Sequence, residues 1–141
     1  MTSVRYLENQ VLGADPIGLV LLLNEGAMGA MRQASVLLQE GSIEGRSNAI
    51  TKSMQIVAEL QSTLDLDRGG EIAQNLAQLY AFTQDRLIEA NVEQKVAPLE
   101  EAYAVISILQ QGWKEISHHP PVGAIVEEED AVAAGSMAWT L

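Results

Sequence analysis

The clearest signal for the fold lies in residues 98–116, which read PLEEAYAVISILQQGWKEI. Apolar side chains recur there at spacings of three and four, the period that places them on one face of an α-helix. Pro98 suits the first turn of a helix, and Pro120 and Pro121 predict its end. The predicted face consists of Leu99, Ala102, Ile106, Leu109, Trp113 and Ile116.

The same period occurs in three earlier segments. Asp15 and Pro16 predict the N-cap and first position of the first helix, which Gly41 ends. A second helix starts between Ser42 and Ser47. The predicted faces are Val20, Leu23, Ala27, Met31, Ala34 and Leu38 in the first helix, and Ile50, Met54, Val57, Leu60 and Leu64 in the second.

The turn Asp67-Arg68-Gly69-Gly70 predicts the boundary between the second and third helices, because either glycine can adopt the left-handed conformation. Glu71 then opens a helix whose predicted face is Ile72, Leu76, Leu79, Tyr80, Thr83, Leu87 and Asn91. Long helices joined by short turns favour antiparallel neighbours. We therefore predict an all-α fold, an antiparallel four-helix bundle over residues 15–119, with an N-terminal segment (1–14) and a C-terminal extension (120–141) that we expect to be mobile.

The composition excludes several classes of function. A net charge of -11 disfavours nucleic acid, whose phosphates attract Lys and Arg. The absence of Cys removes disulfides and thiolate metal sites and fits a reducing cytoplasm. The longest apolar run, Leu19–Leu23, is too short to span a bilayer, and residues 1–13 lack the features of a signal peptide. We expect a cytoplasmic protein without stable membrane insertion.

Catalytic and metal chemistry find little support in the residues. A di-metal bundle needs two Glu-x-x-His pairs, but only Glu115 and His118 form one. No serine lies in a nucleophile elbow and no phosphate-binding loop is present. We therefore predict that the protein is not an enzyme and has no catalytic residues, no metal site and no cofactor.

Several helices carry apolar residues outside the predicted core face, among them Leu22, Ile88, Val105 and Ile108. A helix with two apolar sides either lies centrally in a core or presents one side to a partner. The pattern alone leaves both interpretations open.

Read in order, the motifs resemble the flagellin export chaperone family. The resemblance covers roughly residues 4–117, and Asn24 stands where the family usually has Tyr. The most specific matches are Lys52, Ile56, Leu60, Leu64, Asp65, Gly69, Gly70, Glu71, Ile72, Leu76, Leu79, Tyr80, Leu87, Ala90 and Asn91.

The resemblance implies a cytoplasmic chaperone that binds the C-terminal segment of flagellin, prevents premature polymerisation and keeps flagellin competent for export. In that family the segment becomes helical as it wraps around apolar grooves, and the cytosolic part of the flagellar export gate is a further possible partner. A helical interaction or regulatory bundle with a different partner remains the alternative. The oligomeric state is left open.

For the binding groove we predict eight residues of the second and third helices, with core packing as the alternative for each. They are Ile50, Met54, Ile56, Leu64, Leu76, Tyr80, Leu87 and Asn91. The resemblance also implies that the N-terminal segment lies in the groove as a lid and is displaced by flagellin. The lid candidates are Tyr6, Leu7, Val11 and Leu12.

Overall fold

The structure is a computed structural model that describes residues 16–118, and this range holds four α-helices and no strand. They are α1 (Pro16–Gln39), α2 (Ile43–Ser62), α3 (Leu66–Glu93) and α4 (Val96–His118). The predicted all-α four-helix bundle is confirmed. Asp15, the lid candidates and the extension from 120 onward lie outside the described residues, and the predicted domain limits of 15 and 119 stay predictions.

The helices form a closed ring in which α1 packs against α2 and α4, and α3 packs against α2 and α4. Side-chain contacts give the direction of each pair. Arg46 near the start of α2 contacts Asn91 near the end of α3, while Gln84 donates to the Met54 carbonyl oxygen at 2.9 Å further along. The helices α2 and α3 are therefore antiparallel.

The same reasoning applies to α1 and α4. Arg32 in the second half of α1 donates to the Tyr103 hydroxyl near the start of α4 at 2.9 Å. Gln110, one helical stretch further along α4, donates to the carbonyl oxygen of Leu21 near the start of α1 at 3.4 Å. Consequently the start of α1 lies beside the end of α4.

The core is mostly aliphatic, as the low aromatic content predicts, and Ile106, Leu99 and Trp113 of the predicted α4 face are all buried in it. Two buried hydroxyls bond to backbone carbonyls, Ser53 to Ala27 at 3.4 Å and Thr83 to Leu79 at 2.9 Å. The core cluster is Val20, Ala27, Met28, Met31, Ala34, Ala49, Ile50, Val57, Leu60, Leu76, Tyr80, Leu87, Ala90, Leu99, Ala102, Ile106 and Trp113.

Asn24 of α1 is a buried polar residue that, unlike Ser53 and Thr83, has no hydrogen-bond partner for its side chain within residues 16–118. Its side chain is 0% exposed, and neither its amide nitrogen nor its amide oxygen has a hydrogen-bond partner within residues 16–118. Gln110, also buried, uses its amide nitrogen on α1, but its oxygen is likewise without a partner in that range. Buried polar atoms of Asn24 and Gln110 are thus left without a compensating hydrogen bond in the described helices.

The predicted boundary between the first two helices is confirmed. Gly41 has φ +79°, which an L-residue adopts only with strain, and it follows the end of α1. Ser42 caps α2, and its hydroxyl accepts from the Gly45 N–H at 3.3 Å.

The predicted boundary between the next two helices is wrong in position. The α2 helix ends at Ser62, where the hydroxyls of Ser62 and Thr63 bond back to carbonyl oxygens of the last turn. Asp65 caps α3 by accepting from the Arg68 N–H at 3.0 Å, so a helical turn forms before the glycines. Gly70, with φ +57° and ψ -135°, is a kink inside α3 rather than a turn before it.

Candidate partner-binding surfaces

Exposed apolar side chains are concentrated on α3, and one group of them lies on the side that faces α4. Leu79 and Phe82 follow Ile72 at spacings that keep all three on one side of the helix. Ile108 of α4 is 71% exposed and follows Glu101, a residue that contacts α3, by two helical turns. We name Ile72, Leu79, Phe82 and Ile108 the α3/α4 stripe.

One end of the α3/α4 stripe is closed by Arg86. Its guanidinium lies 5.9 Å from the centre of the Phe82 ring and makes ion pairs with Asp85 at 2.8 Å, Glu101 at 3.4 Å and Glu89 at 3.6 Å. The hydrogen bond with Asp85 is the largest cause that raises the pKa of Arg86. The contact with Glu101 ties α3 to α4 at this end of the stripe.

A second exposed group flanks the contact between the start of α2 and the end of α3. Ile88 and Val92 are four residues apart on α3, and Ile43 precedes Ser47 by four residues on α2. Between these lines, Ser47 and the buried Arg46 both donate to the amide oxygen of Asn91 at 3.1 Å. We name Ile43, Arg46, Ser47, Ile88, Asn91 and Val92 the α2/α3 patch.

Four of the eight predicted groove residues lie in the core of the bundle rather than on either surface. Ile50, Leu76, Tyr80 and Leu87 are all buried, because they occupy the centre of the α2 and α3 core faces. Burial raises the pKa of the Tyr80 hydroxyl to about 12. A partner could reach these side chains only by opening the bundle, and their role in binding stays a prediction.

The other four are half-buried but do not form one groove. Met54 and Leu64 pack against the core. Ile56 is directed towards α1, where its Cδ1 lies 3.4 Å from the position that a Cβ atom would take if Gly26 carried a side chain. Of the eight, Asn91 alone belongs to a surface defined above.

The sequence pattern misplaced Ile72 and Leu79, which were predicted on the core face and are exposed. It also gave no role to Phe82, although this is the one phenylalanine of the chain and stands beside the core face rather than in it. A large aromatic at such a flanking position is the signal that could have identified the stripe.

An open cavity of about 400 Å³ lies between α1 and α4, lined by Arg32, Ser35, Leu99, Glu100 and Tyr103. Arg32 is already held there by the Tyr103 hydroxyl and by an ion pair with Glu25 at 3.6 Å. The hydrogen bond with Tyr103 is the largest cause that raises the pKa of Arg32. Two of the polar side chains of this cavity, Arg32 and Tyr103, are therefore engaged with each other.

Residues 16–118 contain neither a candidate metal centre nor a candidate membrane span. No group of three or more His, Cys, Asp or Glu side chains in this range is arranged to hold a metal ion. No helix in the same range combines the length and the apolar character needed to span a membrane.

The fold and these surfaces define a helical bundle with large apolar side chains exposed on its outside. Comparison with known proteins identifies the family of this bundle. The sequence profile of the family described as Flagellar protein FliS matches residues 2–120, and the chain belongs to this family. The resemblance read from the motifs is thereby confirmed.

Relatives from several bacteria agree. The flagellar secretion chaperone FliS of Salmonella typhimurium is 34% identical over 112 residues, which cover 79% of this chain and 83% of the relative. FliSB of Pseudomonas aeruginosa, also named a flagellar secretion chaperone, is 36% identical over 112 residues, 79% of this chain and 89% of the relative. The chaperone FliS of Campylobacter jejuni is 31% identical over 117 residues, which cover 83% of this chain and 91% of the relative.

Proposed function

We propose that this protein is a cytoplasmic flagellar secretion chaperone that binds the C-terminal segment of flagellin and keeps it from polymerising before export. The relatives are named flagellar secretion chaperones, and this chain matches them over most of its length. The binding of flagellin is what the family resemblance implies.

The observation that carries the proposal is the exposed apolar surface on both sides of α3. Ile72, Leu79 and Phe82 lie towards α4, and Ile88 and Val92 lie towards α2. Large apolar side chains exposed along one helix are typical of surfaces that bind an amphipathic helix. The closed ring of helices leaves the partner to dock on the outside of the bundle.

The physical mechanism is coupled folding and binding. A disordered segment that becomes helical against α3 buries apolar area and loses conformational entropy in the same step. Such interfaces bury on the order of 1,000 to 3,000 Å², and ordering the segment offsets a few kcal/mol of the gain. Affinity can then be substantial while release remains possible.

A calorimetric titration of the chaperone with the cognate flagellin tests the proposal directly. We expect one segment bound per chain, with a strongly negative heat-capacity change because apolar surface is buried. The matched control is flagellin that lacks its C-terminal segment, which we expect not to bind. If the full-length flagellin shows no binding at micromolar concentrations, the proposed function is wrong.

Two variants of α3 separate surface from core. Phe82→Ala is expected to lower flagellin affinity about tenfold or more and to change stability by about 1 kcal/mol or less, because Phe82 is partly exposed. Leu87→Ala removes a fully buried side chain and is expected to cost about 2 to 5 kcal/mol of stability. Unchanged affinity in Phe82→Ala would exclude the α3/α4 stripe from the interface.

The N-terminal segment is proposed as a lid that competes with flagellin for this surface. Its candidates, Tyr6, Leu7, Val11 and Leu12, supply apolar side chains. Deleting residues 1–12 should then tighten flagellin binding by a factor equal to the inverse of the fraction of time for which the lid is open. Weaker binding after the deletion would indicate that the segment contacts flagellin instead, and a large gain after deleting residues 122–141 would assign the lid to the C-terminal extension.

A further inference from the structure

Arg46 is the one arginine of the bundle that is buried, with 5% of its surface exposed. Its Nε donates to the Asn91 amide oxygen at 3.1 Å, and the Ser47 hydroxyl donates to the same oxygen at 3.1 Å. Two donors on one acceptor fix the orientation of the Asn91 amide. The guanidinium of Arg46 is thereby held in a defined position between α2 and α3.

No carboxylate oxygen of residues 16–118 lies within 4.0 Å of the Arg46 guanidinium, although the more exposed Arg32, Arg68 and Arg86 each have an acidic partner within that distance. Glu93, which lies two residues after Asn91, is paired with Lys95 at 3.4 Å. Taking a cation out of water is unfavourable unless it is paired. Arg46 therefore has the strongest requirement for an anion and lacks one within the described bundle.

The terminal nitrogens of Arg46 can be reached from outside. These nitrogens make no hydrogen bond within the described helices. They are nevertheless not fully enclosed, unlike the buried polar atoms of Asn24 and Gln110 that lack a partner. They must therefore keep some contact with solvent. The side chain as a whole is nearly enclosed, and the terminal nitrogens keep the small opening to solvent that remains, from which they can donate to a carboxylate.

The local backbone favours an anion at the same place. Arg46 is in the first turns of α2, whose N-terminal N–H groups carry partial positive charge. Ile43, three residues before Arg46, and Ile88 and Val92, on either side of Asn91 in sequence, are exposed apolar residues of the same two helix ends. The α2/α3 patch thus combines one oriented cation with an apolar rim, which matches a segment that carries apolar side chains and one acid.

We infer that Arg46, positioned by Asn91, is a binding site for a single carboxylate of the flagellin segment. This inference rests on the proposed function, since it names the contact by which that partner is oriented on the α2/α3 patch. A bidentate ion pair surrounded by apolar side chains is partly desolvated and fixes the register of the segment more than a surface pair does.

The test compares two variants that remove the same charge from α2. In Arg46→Met the long stem is kept and the donors are lost, whereas Lys52→Met removes an exposed cation from another side of the helix. With a peptide of the flagellin C-terminal segment, we expect Arg46→Met to bind about tenfold more weakly than the wild type. Lys52→Met should stay within about twofold of the wild type.

A scan of the peptide identifies the acid. Each Asp or Glu is replaced in turn by Asn or Gln, and one replacement should cost about tenfold with the wild-type chaperone but nothing further with Arg46→Met. If Arg46→Met does not fold, as judged by circular dichroism, the same peptides are added to the wild type. The Nε–H resonance of Arg46 should then shift with every peptide except the one that lacks the acid.

The outcomes separate the two proposals. If the wild-type protein binds the peptide and the variants Arg46→Met and Lys52→Met bind it with equal affinities, the carboxylate site is overturned and the proposed function stands. Wild-type protein that does not bind the peptide overturns both. A third outcome combines two results: sodium acetate shifts the Arg46 resonance, and no acid of the peptide couples to Arg46. This outcome would assign the site to free carboxylates and overturn the assignment to the partner.

Discussion

Replacing Asn24 by leucine is expected to stabilise the bundle. Asn24 is 0% exposed, and both polar atoms of its side chain lack hydrogen-bond partners in the described helices. Leaving a buried amide unsatisfied costs about 1 to 3 kcal/mol. Leucine has the same number and branching of side-chain heavy atoms, so Asn24→Leu removes this cost with little change in shape.

The gain is limited by packing, because a bulkier apolar group in a well-filled core can cost about 1 kcal/mol or more. We therefore expect Asn24→Leu to raise the free energy of unfolding by about 1 to 2 kcal/mol. In a domain of this size that corresponds to a rise of roughly 4 to 10 °C in the thermal midpoint. Urea unfolding and calorimetry measure the two quantities independently.

Thr83→Val is the matched control for Asn24→Leu. Thr83 is as deeply buried, but its hydroxyl donates to the Leu79 carbonyl at 2.9 Å, so the substitution removes a satisfied polar group. We expect it to be neutral or to destabilise by about 1 kcal/mol. If Asn24→Leu lowers the midpoint as much as Thr83→Val does, the buried amide is not a source of instability.

Three further predictions concern single residues of the bundle. Gly70→Ala should destabilise the protein by about 1 kcal/mol or more because φ is +57° there. Gly112→Ala lies in a regular stretch of α4 with open space around it and should stabilise the protein by up to about 1 kcal/mol. Chemical denaturation compares the two variants, and equal effects would contradict the role of the kink. Ser42→Ala should cost about 0.5 to 2 kcal/mol, since its hydroxyl caps α2, and Ser42→Asp should restore most of the loss. Because burial raises the pKa of Tyr80 to about 12, its hydroxyl stays protonated to higher pH in the folded chain than in the unfolded one. Its contribution to the free energy of unfolding is therefore fully present below pH 10 and falls between about pH 10 and 12. Tyr80→Phe should flatten this fall in unfolding experiments at alkaline pH, and an unchanged fall would assign it to other groups.

The direction of each core face could be predicted from the sequence, but its width could not. Leu99, Ile106 and Trp113 are buried as the period of α4 predicts. Ile72 and Leu79 fit the same rule on α3 and are exposed. A helical period gives the side of a helix that faces inward, while the neighbouring helices determine how far around that side burial extends.

The α2/α3 patch lay beyond sequence reasoning for a different reason. Arginine is mostly exposed in folded proteins, so residue type alone predicts that Arg46 lies at the surface. Its burial depends on Asn91, 45 residues further along the chain, and no local pattern records that contact. Asn91 itself was predicted as a site residue through the family resemblance, but its role in holding Arg46 required the packing of α2 on α3.

The antiparallel ring also bears on the order of the helices in the chain. Since Gln110 contacts Leu21 and Tyr103 contacts Arg32, the polypeptide enters α1 and leaves α4 at the same end of the bundle. A short peptide linker from the end of α4 to the start of α1 would therefore span little distance, and the chain could be opened instead at Gly41, around which there is open space. Such a circular permutant keeps every helix-to-helix contact, because a closed ring of four helices has no first or last member.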